Sequence, residues 1–154
     1  MPIRVYATPY KSMKKIKKIK KYTVGQMKKK AWNILKDYIR LRDCLKTTGT
    51  IERGHCYTCD KVYPIKELQG GHLLDGHVGM NYLDERGVMA QCYSCNVCKH
   101  GLKEIYIPKF TKEYGQKLFN ELSRLKRTPC LWKQPEYEKF IEKIKKKIEY
   151  IESL

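Results

Sequence analysis

No stretch of this 154-residue chain approaches the roughly 20 consecutive apolar residues that span a bilayer, and its N-terminus lacks the apolar stretch of a secretory signal. An intracellular protein is expected. Carboxylates are scarce, with 16 Asp and Glu against 33 Lys and Arg, and residues 1–36 carry twelve basic residues and no acid at all. The formal net charge of +17 points to a polyanionic partner, with nucleic acid the first choice. No internal repeat of 20 to 50 residues is present, which excludes a solenoid. The 42% apolar content is enough to bury a single core and excludes disorder throughout.

The basic excess is concentrated in an arm, residues 1–26. Ten lysines lie between Lys11 and Lys30, without a carboxylate or histidine among them. Such a segment can neutralise phosphates but has no group suited to activating water near neutral pH. Lys14, Lys15, Lys17, Lys18, Lys20 and Lys21 are its expected DNA contacts, against the alternative of a solvated face or localisation-type tract.

From Met27 the apolar pattern becomes helical through Ala31, Trp32, Leu35, Tyr38 and Ile39, ending at Thr47, Thr48 and Gly49. Residues 50–95 are glycine-rich and β-leaning, so no long helix is expected there. A helix over 111–127 follows, with Thr111 as N-cap and Tyr114, Leu118, Leu122 and Leu125 on one face; Thr128 and Pro129 interrupt it. The final stripe, Tyr137 to Ile151, suits packing on the chain's own core or, alternatively, a subunit contact.

Seven cysteines in a reducing compartment suggest thiolate ligation more than disulfides. Cys56 with Cys59 and Cys92 with Cys95 form two CxxC pairs, and two such turns complete the four-sulfur shell that structural Zn²⁺ prefers. A redox pair would open a helix in a βαβ unit, and neither pair has that setting. Cys98 is a possible substitute ligand; Cys44 and Cys130 read as buried apolar thiols. Between and after the pairs lie Gly71-His72, Asp75, His77, Asn96 and His100. Asn96 and His100 are four apart and would share one helical face, where a hard divalent ion could be held against a phosphate while a histidine on an opposing strand activates water.

Tyr38 to Asp43, the first CxxC, Gly71-His72, Asp84 to Cys92 and Cys95-Asn96, with Gly101 and Tyr106 following, together resemble the phage NinG/Rap recombination nucleases over about residues 27–120. The cysteine pairs with Asn96 directly after the fourth cysteine are also similar to endonuclease VII, of the His-Me finger or HNH class. The resemblance implies an α+β fold: a zinc-stapled ββα-metal core over 27–127, flanking helices, the basic arm and a C-terminal amphipathic helix over 128–154. It implies a metal-dependent endonuclease cutting branched DNA such as a Holliday junction, in the cytoplasm of a bacterial host. His72 becomes the general base and Asn96 a ligand of a catalytic Mg²⁺ or Mn²⁺, with His100 and Asp75 as further ligands and a structural Zn²⁺ apart from them.

Two positions depart from that pattern. Gly71 stands where many such sites have an acidic ligand, a role open to Asp75, His77 or water. Gly87-Val88-Met89 stands where Asn-Val-His is usual, removing an Asn that braces the loop of the base. Arg40, Arg42 and Arg86 are candidate phosphate contacts, with pairing to Asp37, Asp43 or Glu85 an equal claim. Two strand cuts at a symmetric junction imply a homodimer. The competing readings are a non-catalytic zinc module that binds nucleic acid by charge, and a sequence-specific homing or restriction enzyme, for which no recognition element is visible.

Overall fold

The computed structural model describes residues 21–154, so Lys14, Lys15, Lys17, Lys18 and Lys20 lie outside the described residues. The order is helix α1 (Val24–Thr48), strands β1 (Arg53–His55), β2 (Val62–Pro64), β3 (Leu68–His72) and β4 (Val88–Cys92), then helices α2 (Lys103–Tyr114), α3 (Gln116–Lys126) and α4 (Gln134–Glu152). This is a mixed helix and strand protein with two antiparallel two-stranded sheets, β1 with β2 and β3 with β4. Among the described residues no helix is long and apolar enough to cross a membrane.

Helix α1 begins three residues before the expected start because Thr23 and Gln26 form a capping box, each side chain bonding the other's backbone N–H. It ends at Gly49, whose φ of 73° is left-handed and natural for glycine. Met27, Ala31, Leu35 and Ile39 face α4, which supplies Tyr137, Ile141, Ile144 and Ile151, and Tyr82, Leu83 and Val88 close this core from the sheet side. The Tyr137 to Ile151 stripe therefore packs on its own chain.

The helix expected over 111–127 is two helices broken at Gly115, which has a φ of 91°. Thr111 is no N-cap: it lies inside α2, its hydroxyl donating to the Ile107 carbonyl at 3.0 Å. The expected face survives the break, since Leu122 is buried and Tyr114, Leu118 and Leu125 pack with it on Leu73, Met89, Tyr106 and Phe110. Helix α2 starts well before Thr111 and carries Pro108 in its interior, where proline is disfavoured.

Helix α1 is pinned to β4 by charge. Asp43, 6% exposed, accepts the Ala90 N–H at 2.7 Å through Oδ2 and Arg42 Nε at 2.7 Å through Oδ1. Arg42 then donates to the carbonyls of Glu85 and Val88 at 2.9 and 2.8 Å. Removing one partner of a buried, hydrogen-bonded pair costs about 3–5 kcal/mol, because the other charge is stranded. Asp43→Ala should accordingly lower the melting temperature by about 10 °C. Calorimetry finding less than a 2 °C change would show that this pair does not hold the sheet to α1.

Candidate functional site

The first CxxC is carried by the β1–β2 turn, tightened by Asp60 N–H donating to the Cys56 carbonyl at 2.9 Å and by the left-handed Asp60, φ 61°. Tyr57 N–H reaches the Ala90 carbonyl at 2.8 Å, which sets this turn against β4. β4 itself delivers Cys92, and the single π-helical turn Ser94–Cys98 delivers Cys95. The four Sγ atoms lie within 4.8 Å of one another, with Cys59 and Cys92 4.0 Å apart. Tetrahedral Zn–S bonds of about 2.3 Å place sulfurs about 3.8 Å apart, so the spacing suits one zinc ion. Burial opposes ionisation of Cys56, but the backbone N–H groups of Cys59 and Cys92, with Thr58, outweigh it and bring that thiol down to about 6. The four cysteines could thus hold a structural zinc. Cys98 is exposed outside the cluster, Cys44 is buried, and Cys130 is half-buried.

His72 ends β3 at the mouth of a cleft of about 380 Å³. Its Nε2 donates to the Tyr82 carbonyl at 2.9 Å, which leaves Nδ1 of the neutral ring as the proton acceptor. The ring stacks on Trp32, centroids 4.4 Å apart, and on Tyr82 at 5.1 Å. Burial lowers its pKa below 6.5, more than the Tyr82 carbonyl raises it, so the ring is neutral at pH 7. Helix α2 steadies the strand: Tyr106 Oη donates to the Gly71 carbonyl at 3.0 Å, and Lys103 bonds the His72 carbonyl.

Gly71 has a structural reason. A Cβ there would lie 1.9 Å from Oε1 of the fully buried Gln91, so this position faces the core and an acid on it would not reach the cleft. Asp75 does line the cleft, ion-paired with Lys103 at 3.2 Å. Gly87 lies against Leu122, 3.3 Å from an added Cβ. The loop beside the base is braced instead by Asn81, which is buried and donates to the Leu74 carbonyl at 3.4 Å. Trp32, Tyr82, Asn81 and Lys103 were not identified from sequence; Trp32 and Tyr82 read there as core or went unremarked.

Asn96 lines the same cleft and donates through Nδ2 to Gln69 Oε1 of β3 at 2.9 Å. His77 and His100 line it too. The expected shared helical face is corrected, because the turn after Cys95 stops at Cys98, His100 and Leu102 take left-handed φ of 49° and 47°, and α2 starts only at Lys103. Gly101 folds back instead, its N–H donating to the Cys95 carbonyl at 2.8 Å. Among the described residues, the four cysteines are the one group of three or more His, Cys, Asp or Glu side chains whose ligand atoms converge.

The arginines divide by partner. Arg42 is used inside the fold, as described above, and its donors are not open to phosphate. Arg86 pairs with Asp84 at 2.8 Å and Glu121 at 3.0 Å, rather than with Glu85. Arg40 bonds Asp37 through Nη2, while its buried Nε has no partner. Lys21 is exposed just ahead of α1.

No curated protein and no solved structure matches the chain. The sequence model of the family described as Bacteriophage Lambda NinG protein matches residues 6–153, well beyond the 27–120 over which the resemblance had been traced and including most of the basic arm. With nearly its whole length matched, the chain belongs to the bacteriophage lambda NinG family.

Proposed function

We propose that this chain is a metal-dependent DNA endonuclease of the His-Me finger class that acts on branched recombination intermediates. The observation that carries the reading is the His72 ring, fixed through Nε2 by the Tyr82 carbonyl and kept neutral by burial, at the edge of a cleft that Asn96 also lines. The β3–β4 hairpin, the turn bearing Asn96 and then α2 follow the chain order of a ββα unit. His72 Nδ1 takes a proton from water as the oxygen adds to phosphorus, and the opposite P–O bond breaks. Asn96, with Asp75 and His100 lining the same cleft, would hold Mg²⁺ or Mn²⁺, which supplies charge stabilisation for the phosphate and leaving oxygen when bound. Asp75 must release Lys103 to take part. Lys103 can then hold a phosphate oxygen.

The direct experiment incubates the protein with Mg²⁺ or Mn²⁺ and duplex, single-stranded and four-way-junction DNA, expecting incision of the branched substrate. Asn96→Ala should cut about 10- to 100-fold more slowly at limiting divalent ion and regain much of that rate at high ion concentration, because it weakens metal affinity and leaves the base in place. A defect that no ion concentration relieves would remove Asn96 from the ligand set. One observation favours the competing reading, a non-catalytic zinc module: Asp75, His77 and His100 do not converge as a metal cluster. Binding without incision across the whole panel would establish it. Two incisions at a symmetric junction call for two active sites, hence a homodimer, which sedimentation on junction DNA tests.

A further inference from the structure

The cleft does not end at Asn96. Trp32, Gly70 and Asn96 line both the His72 cleft and a second concavity of about 440 Å³, and Lys66 and Gln69 line both that one and a third. Three sections therefore form one groove along β3. Its wall is a row of α1 at four-residue steps, Trp32, Lys36 and Arg40, which share a helix face over about 12 Å. Lys28 bonds the His77 carbonyl at one end, Trp32 stacks on His72, and Lys36 and Arg40 line the second section. Gly70 makes the floor shallow enough for this, since a Cβ there would touch Lys36 Cγ at 3.3 Å and the Trp32 ring at 3.4 Å.

The charge in the second section is unbalanced. Lys36 and Lys66 have no carboxylate partner among the described residues, and the one acid lining that section, Asp37, is already bonded to Arg40. Arg40 keeps a buried, unpartnered Nε. In the third section Glu67 marks the end of the positive run, next to Tyr63 and the exposed Tyr93. A wall about 12 Å long matches about three to four phosphates of one strand, at 3.4 Å of axis each. Lys36, Arg40 and Lys66 themselves have no part in the chemistry at His72.

We propose that the groove walled by Lys36, Arg40 and Lys66 is the track for the DNA strand flanking the scissile phosphate, holding its backbone phosphates. The proposal rests on the nuclease reading for what lies at the His72 end, but its test does not. The probe is a labelled four-way junction, bound by His72→Ala protein so that no cutting intervenes, with affinity measured across a salt series. Lys36→Gln/Lys66→Gln keeps both stems and removes two charges; Lys139→Gln/Lys145→Gln removes two from the exposed side of α4, where they line none of the three sections. Two lost phosphate contacts should flatten the slope of log affinity against log salt by about 1.4 to 1.8 for the groove pair. The α4 pair should leave it unchanged. An unmoved slope in the groove variant, or an equal fall in both, would overturn the track. Wild-type protein that binds with the expected slope yet never cuts would instead overturn the nuclease reading and leave the track standing.

Discussion

His72→Ala should cut branched DNA about 10² to 10⁴ times more slowly than the wild type while binding it with nearly unchanged affinity, because the substitution removes a proton acceptor and no positive charge. The hydrogen bond from Nε2 to the Tyr82 carbonyl fixes which nitrogen is free, so His72→Gln, which cannot accept and hold a proton near neutral pH, should be equally slow. Measurement is by single-turnover cleavage at saturating enzyme. Cleavage at the parental rate by either variant would remove His72 from the mechanism.

The pH profile carries the same assignment. Burial holds the folded-state pKa of His72 below 6.5, so the base is unprotonated throughout the neutral range and the acidic limb of the rate profile should fall below pH 6.5. For stability the sign follows from proton uptake. The unfolded chain binds a proton at His72 more readily than the folded one, so the stability linked to this group is fully present above pH 6.5 and declines as pH falls below it. Trp32→Ala opens one face of the ring to water and should move the acidic limb upward towards 6.5. A limb that stays in place would mean that Trp32 packs against the ring without desolvating it.

What the sequence made legible is what repeats along it or is chemically costly to place at random. The heptad-like apolar spacing from Met27 specified α1, and the stripe from Tyr137 specified α4, because burial selects period and type together. The paired CxxC turns identified the four cysteines that converge. The break at Gly115 was missed because the apolar face runs through it: Tyr114 and Leu118 stay on one side of the core whether the helix is continuous or kinked. The single π turn after Cys95 was missed because four-residue spacing reads as α-helix, whereas the return bond from Gly101 to the Cys95 carbonyl is a tertiary constraint. The brace of the His72 loop came from Asn81, six residues before Gly87, since sequence comparison looks for the side chain at the familiar position and the fold only requires an amide that reaches the Leu74 carbonyl. Arg42 illustrates the same limit with charge. A basic residue in a basic protein reads as a DNA contact until its partners, Asp43 and two carbonyls, are in view.

Cys92→Ser should release zinc and unfold the centre of the molecule before its flanks. The cysteine cluster is thin in apolar matter, with Cys56, Cys92 and Cys95 buried and only Tyr63, Leu102 and Cys59 packed around them, whereas α1 and α4 share a core of large side chains that includes Leu35, Ile39, Tyr137 and Ile144. Metal binding therefore provides much of the local folding free energy, where structural zinc sites contribute on the order of 10 kcal/mol. A serine hydroxyl is a poor replacement for a thiolate, so the melting temperature should drop by about 10 °C or more, zinc content should fall from one ion per chain, and helix content should survive the first step because α1 and α4 hold each other. Cleavage should disappear with the zinc, since Asn96 follows Cys95 directly and the Tyr57 to Ala90 bond ties the first cysteine pair to the strand opposite His72. Cys98→Ser is the matched control: the residue is exposed outside the cluster, so zinc content, stability and cleavage should all stay at wild-type values. Elemental analysis showing no zinc in the wild type, or a Cys92→Ser protein that melts with it, would overturn the assignment of the four cysteines to a metal.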